Sequence, residues 1–125
     1  MKKVLVSIIN ELLATAVIRA LKACGEFFPY QMAQKNSLHG TEVMDADILL
    51  LEIAYLPGTT LETRLTEIKQ IRKNKPECKI VVFCDDTAAP ELAYKVTQLK
   101  KDRLIDAFLY TSVTASYLMS TLMSL

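Results

Sequence analysis

The chain has 125 residues, 51% hydrophobic and 23% charged, with fifteen Lys and Arg against fourteen Asp and Glu. That length fits one domain over residues 1–125 with a core of its own, and so apolar a composition excludes intrinsic disorder. A formal charge of +1 argues against a strongly basic nucleic-acid binder and against an acidic tail.

Met1-Lys2-Lys3 and the apolar run behind them imitate the start of a signal peptide, but Asn10 and Glu11 interrupt the run and no cleavage pattern follows. No stretch reaches the roughly 18 uncharged apolar residues of a membrane span, and the richest, Ile48 to Leu56, contains Glu52. A soluble, cytoplasmic chain without membrane contact is expected. Cys24, Cys78 and Cys84 form no CxxC pair and His39 is the single histidine, so reduced core cysteines are expected in place of disulfides or a zinc site.

Lys3 to Ile9 reads as a strand buried on both faces. Asn10 is suited to cap the helix behind it, in which Leu13, Ala16, Val17, Ala20, Leu21 and Cys24 recur at helical spacing and which closes at Gly25. Phe27 to Ala33, interrupted by Pro29, predicts an edge strand, and one short helix is expected within residues 34–44. Ala46 to Ile53 is the clearest buried strand, leading into the turn Leu56-Pro57-Gly58-Thr59. Thr59 and Glu62 form a capping-box pair for a helix that buries Leu61, Leu65, Ile68 and Ile71; Glu62, Arg64, Glu67, Lys69, Arg72 and Lys73 are expected on its solvent side.

Lys79 to Cys84 is a further strand, followed by the polar loop Asp85-Asp86-Thr87. Pro90 opens the fourth helix, which buries Leu92, Ala93, Val96 and Leu99. A fifth strand is placed at Ala107 to Tyr110, and a fifth helix turns Tyr117, Leu118, Leu122 and Met123 inward. This βα alternation predicts a three-layer α/β/α sandwich on a parallel, flavodoxin-like sheet of order 2-1-3-4-5.

In such a sheet ligands gather at the carboxyl ends of the strands. There, Asp47, four apolar residues, Glu52 and then Leu56-Pro57-Gly58 are similar to the third strand of response-regulator receiver (CheY-like) domains. The resemblance covers essentially the whole chain and implies a signalling module of the two-component type. It places Glu52 at the phosphoacceptor position, with a turn one residue longer than the family's. It puts Ile8 and Ile9 where paired acids would hold Mg²⁺, with Asn10 and Glu11 the nearest polar groups. It puts Cys84 at the switch Thr/Ser position, with Thr87 as a substitute, and Thr111 where a lysine is usual.

Phosphoryl transfer depends on positioning and on neutralisation of charge by metal and cation. With these replacements a pseudo-receiver is expected: not an enzyme, without a cofactor, with Mg²⁺ disfavoured. The simplest assignment for Glu52 is a strand-end carboxylate facing water; the sharper one is a glutamate that mimics a phospho-aspartate. Glu52, Asp85 and Asp86 would put three carboxylates on one rim, a weak cation candidate, although Asp86 or Thr87 also suits an N-cap. His39 reads as a surface residue and Cys84 as an inert buried thiol.

No phosphate-binding glycine motif is present, and the basic stretches around Lys69 to Lys79, Lys95, Lys100, Lys101 and Arg103 read as solvated faces. The last helix carries more apolar residues than one buried stripe needs, so Tyr110, Tyr117, Met119 and Met123 are candidates for a protein interface. In receivers the fourth helix, fifth strand and fifth helix form the usual dimerisation and output face. A protein partner or a second copy is therefore expected there. The alternative is a working receiver that takes phosphate from a histidine kinase through Asn10, Glu11 and Asp85, and a third possibility is a small flavodoxin-like ligand-binding domain.

Overall fold

A computed structural model describes residues 1–31, 43, 45–54, 59–84 and 90–125. The short helix expected within 34–44, His39, the 56–58 turn and the Asp85-Asp86-Thr87 loop lie outside the described residues, apart from Val43, which is buried. Five strands are described: β1 (Lys2–Ser7), β2 (Phe27–Gln31), β3 (Ile48–Ile53), β4 (Lys79–Cys84) and β5 (Ala107–Tyr110). Four helices alternate with them: α1 (Glu11–Cys24), α2 (Leu61–Asn74), α3 (Pro90–Lys101) and α4 (Ala115–Met123). The expected fourth and fifth helices are thus α3 and α4.

All pairings are parallel and the order is β2-β1-β3-β4-β5, as the alternation predicts. Parallel neighbours need crossovers, so helices cover both faces and the central strands become apolar throughout. Every residue of β3 is buried. Val4, Val6, Ile48, Leu50, Val81 and Phe83 pack with α1 and α4; Leu5, Leu49, Leu51, Ile80 and Val82 pack with α2 and α3. Pro29 sits on the edge strand β2, where a missing N–H costs no central ladder bond.

The helix ends follow local chemistry. Asn10 Oδ1 accepts from the Leu13 N–H at 3.1 Å, and Gly25 closes α1 in the left-handed region at φ 77°. Thr114 caps α4 in the same way, accepting from the Tyr117 N–H at 3.1 Å. At α2 the cap is Thr60, accepting from the Thr63 N–H, and not the Thr59–Glu62 pair: Thr59 is fully buried one residue before the cap. β1 also ends two residues earlier than expected, at Ser7, so Ile8 and Ile9 belong to the connection into α1.

Two expectations about helix faces are corrected. Arg64 and Glu67 are buried, with Arg64 fully inaccessible, and Arg72 is half-buried. Arg64 is turned inward because it meets backbone carbonyls at the sheet and the Glu67 carboxylate one turn along its own helix. In α4, Leu118 and Leu122 are buried, whereas Tyr117 and Met123 are 61% and 60% exposed. Nine residues of helix present one inward stripe, and these two fall outside it.

Candidate functional site at the carboxyl ends of the strands

Glu52 lies one residue before the end of β3, opposite Phe83 on β4. Strand alternation turns it to the α1 face with Ile48 and Leu50. It does not face water: it is only 9% exposed. Its Oε1 accepts from the backbone N–H of Ile9 at 3.0 Å and of Asn10 at 3.5 Å. These amides lie at the entry to α1, where the helix dipole favours a negative charge, so the carboxylate is matched to its surroundings.

The opposite face of the same strand ends is held by Arg64. Its Nε–H donates to the Glu52 carbonyl oxygen at 2.9 Å and its Nη2 to the Ser7 carbonyl oxygen at 3.1 Å. Nη1 meets Glu67 Oε1 at 3.5 Å. Burial lowers the pKa of this guanidinium, and the charges of Glu67 and, more weakly, Glu52 oppose that shift. The sequence pattern placed Arg64 in solvent, yet Arg64, Ile68 and Ile71 are spaced i, i+4, i+7. That spacing was the available signal.

Ile8 is 2% exposed and packs in the core between the sheet and α1, so the first of the two expected acid positions is an aliphatic wall. Ile9 contributes its amide. Asn10 is committed to the α1 cap, and Glu11 is an exposed first-turn residue. Cys84 is fully buried and pairs with Tyr110, while the Thr111 N–H donates to the Cys84 carbonyl oxygen at 3.1 Å, extending the β4–β5 ladder. Asn10, Leu13, Glu52, Ala54 and Thr111 line one shallow cleft of about 370 Å³. The fold therefore gathers Ile9, Asn10, Glu52 and Thr111 at one rim; Asp85, Asp86 and Thr87 lie outside the described residues. Among the described residues no cluster of His, Cys, Asp and Glu is arranged to hold a metal ion.

The candidate interface residues divide. Tyr110 and Tyr117 line one groove of about 540 Å³ together with Lys100, Phe108 and Ser112. Met123 lies in a different hollow with Met1, Lys2 and Phe27, near the amino end of the sheet. Met119 is partly buried against the core.

The chain is similar in structure to receiver domains. A DNA-binding response regulator of the LuxR family from Staphylococcus aureus superposes with a TM-score of 0.74 at 18% identity, over 99% of this chain and 98% of that one. The receiver domain of the putative response regulator NarL from Mycobacterium tuberculosis gives 0.73 at 17% identity, over 98% and 94%. A response regulator from Thermotoga maritima gives 0.71 at 16% identity, over 99% and 96%. No family model and no curated protein matches the chain. The fold is the receiver (CheY-like) fold, as the third-strand resemblance implied. Among the described residues no helix is long and apolar enough to cross a membrane.

Proposed function

We propose that the chain is a receiver-like regulatory module of signal transduction that works through protein–protein contacts and without phosphorylation. The observation that carries this is the engagement of Glu52: its carboxylate is buried on the amides of Ile9 and Asn10, beside an aliphatic Ile8. A phosphoacceptor needs a carboxylate oxygen free to attack the donor's phosphorus in line with the leaving group, and a cation next to it. Thr111 also offers no positive charge to a transferred phosphoryl group. The module has no turnover of its own in this reading and acts in the cytoplasm. Its partner, a second copy or another protein, docks on the face of α3, β5 and α4 that exposes Tyr110 and Tyr117.

The test is incubation of the full chain with Mg²⁺ and either acetyl phosphate or beryllofluoride, followed by intact mass and ¹⁹F NMR. No adduct is expected. A stable adduct on Glu52, absent from Glu52→Gln, overturns the proposal and favours a receiver that takes phosphate from a histidine kinase.

A further inference from the structure

We propose that Glu52 and Arg64 form a built-in clamp that holds the connection between β1 and α1 against the end of β3 in one arrangement, with no bound ligand required. The proposal deepens the phosphorylation-independent reading and takes its regulatory meaning from it.

Two charged side chains grip the same short stretch from opposite faces of the sheet. On the α1 side, Glu52 Oε1 accepts from Ile9 and Asn10. On the α2 side, Arg64 Nη2 donates to the Ser7 carbonyl oxygen. The two grips lie on either side of Ile8, where the strand becomes loop. They share an anchor, because Arg64 Nε also donates to the backbone of Glu52. Glu52 is thus held through its main chain while its side chain holds the neighbouring segment. Arg64 is steadied in turn by Glu67.

Each contact has an ionised partner, and with Arg64 fully buried and Glu52 nearly so, water screens them little. Movement of the β1–α1 connection away from β3 would break the Glu52 bonds and leave a charged group without them in a poorly solvated place. The two-state bias that an added phosphate or metal would otherwise supply is already present in the chain.

The test is residue-resolved amide hydrogen exchange by NMR on the full chain, in buffer without divalent metal or phosphodonor. The Ile9 amide is expected to be protected, and equally so after Mg²⁺ is added. Glu52→Gln keeps an acceptor oxygen at the same reach without the charge and is expected to lose about fivefold in protection at Ile9; Glu52→Asp, one methylene short, is expected to lose more, about thirtyfold, as for a lost hydrogen bond to a charged group. Core-strand amides such as Leu50 report global stability in the same spectra. Protection of Ile9 that appears only with Mg²⁺, or that is unchanged relative to Leu50 in Glu52→Asp, overturns the clamp. A phosphodonor adduct on Glu52 instead refutes the functional reading, whatever the exchange at Ile9 in metal-free buffer, so the two failures are distinguishable.

Discussion

Arg64 donates its Nε–H to the carbonyl oxygen of Glu52 at 2.9 Å, so Glu52 is gripped through its backbone by a fully buried cation. Taking a guanidinium out of water costs several kcal/mol, and the cost is offset only where its donors find acceptors. Two carbonyl oxygens and one carboxylate meet that need here.

Arg64→Met is therefore expected to destabilise the domain by about 3–5 kcal/mol, because it strips the Ser7 and Glu52 carbonyls of their donor and leaves buried Glu67 without this cation. Against a typical domain stability of about 5–15 kcal/mol, that is a large share. Arg64→Met with Glu67→Met is expected to recover only part of the loss: it removes the buried carboxylate left without its cation, but the Ser7 and Glu52 carbonyls stay without this donor. Urea denaturation of the single and double variants measures both.

These residues also mark where the sequence stopped being informative. The strands, their order and three helix ends were legible, because apolar runs, Asn10, Gly25, Pro90 and the edge-strand Pro29 act through local chemistry that a sequence displays. The inward turn of Arg64 and Glu67 was not. An amphipathic pattern scores a charged side chain as polar, and what reverses that is a pair of carbonyls from strands 12 and 57 residues away along the chain. Glu52 is similar: its position at a strand end was evident, but its burial depends on the entry to α1 offering two amides. Asp85, Asp86 and Thr87 remain expectations, since they lie outside the described residues.

Burial pushes the Cys78 thiol from an ordinary 9.0 up to about 11, with Lys75 and Arg72 pulling partly the other way. A thiol whose native pKa is raised stabilises the fold fully below the unfolded value. That contribution is lost as pH rises from about 9 through 11, because the unfolded chain ionises first. Urea unfolding at pH 7, 9 and 10.5 is expected to show an alkaline loss of about 2 kcal/mol that Cys78→Ala lacks. At pH 8 native Cys78 is also expected to react with a disulfide reagent far more slowly than the half-buried Cys24.

Arg103 is exposed yet left-handed, at φ 62°, just past the end of α3. The Leu104 N–H returns to the Leu99 carbonyl at 3.0 Å and the Arg103 N–H to Lys100 at 3.1 Å, the paired bonds of a Schellman ending. Glycine suits that position better than any residue with a Cβ. Arg103→Gly is expected to stabilise the domain by about 0.5–1 kcal/mol, seen in thermal melts as a rise of ~2–4 °C.

Tyr117 stands 61% exposed beside Tyr110 in the groove between α3 and α4. Tyr117→Glu is expected to leave the thermal midpoint within about 2 °C of wild type, as surface changes do. Under the proposed docking on this face, the same change weakens self-association by about thirtyfold or more, the scale of an aromatic anchor. Light scattering over a concentration series measures it. A wild type that stays monomeric at high concentration removes the second copy as partner and leaves a different protein.

Arg64 and Arg72 both belong to α2, and each is committed to a different end of the sheet. Arg64 takes the carboxyl ends of β1 and β3, whereas Arg72 takes the Leu104 and Cys78 carbonyls and the Asp106 carboxylate at the amino ends of β4 and β5. Eight positions separate them, about 12 Å along the axis at 1.5 Å per residue. The helix is therefore a measured spacer. Inserting or deleting one residue between the two arginines rotates one by about 100° relative to the other, so only one of them could be seated. Among chains built on this plan, α2 should tolerate exchanges of residue type on its outer face but not changes of length between its two arginines.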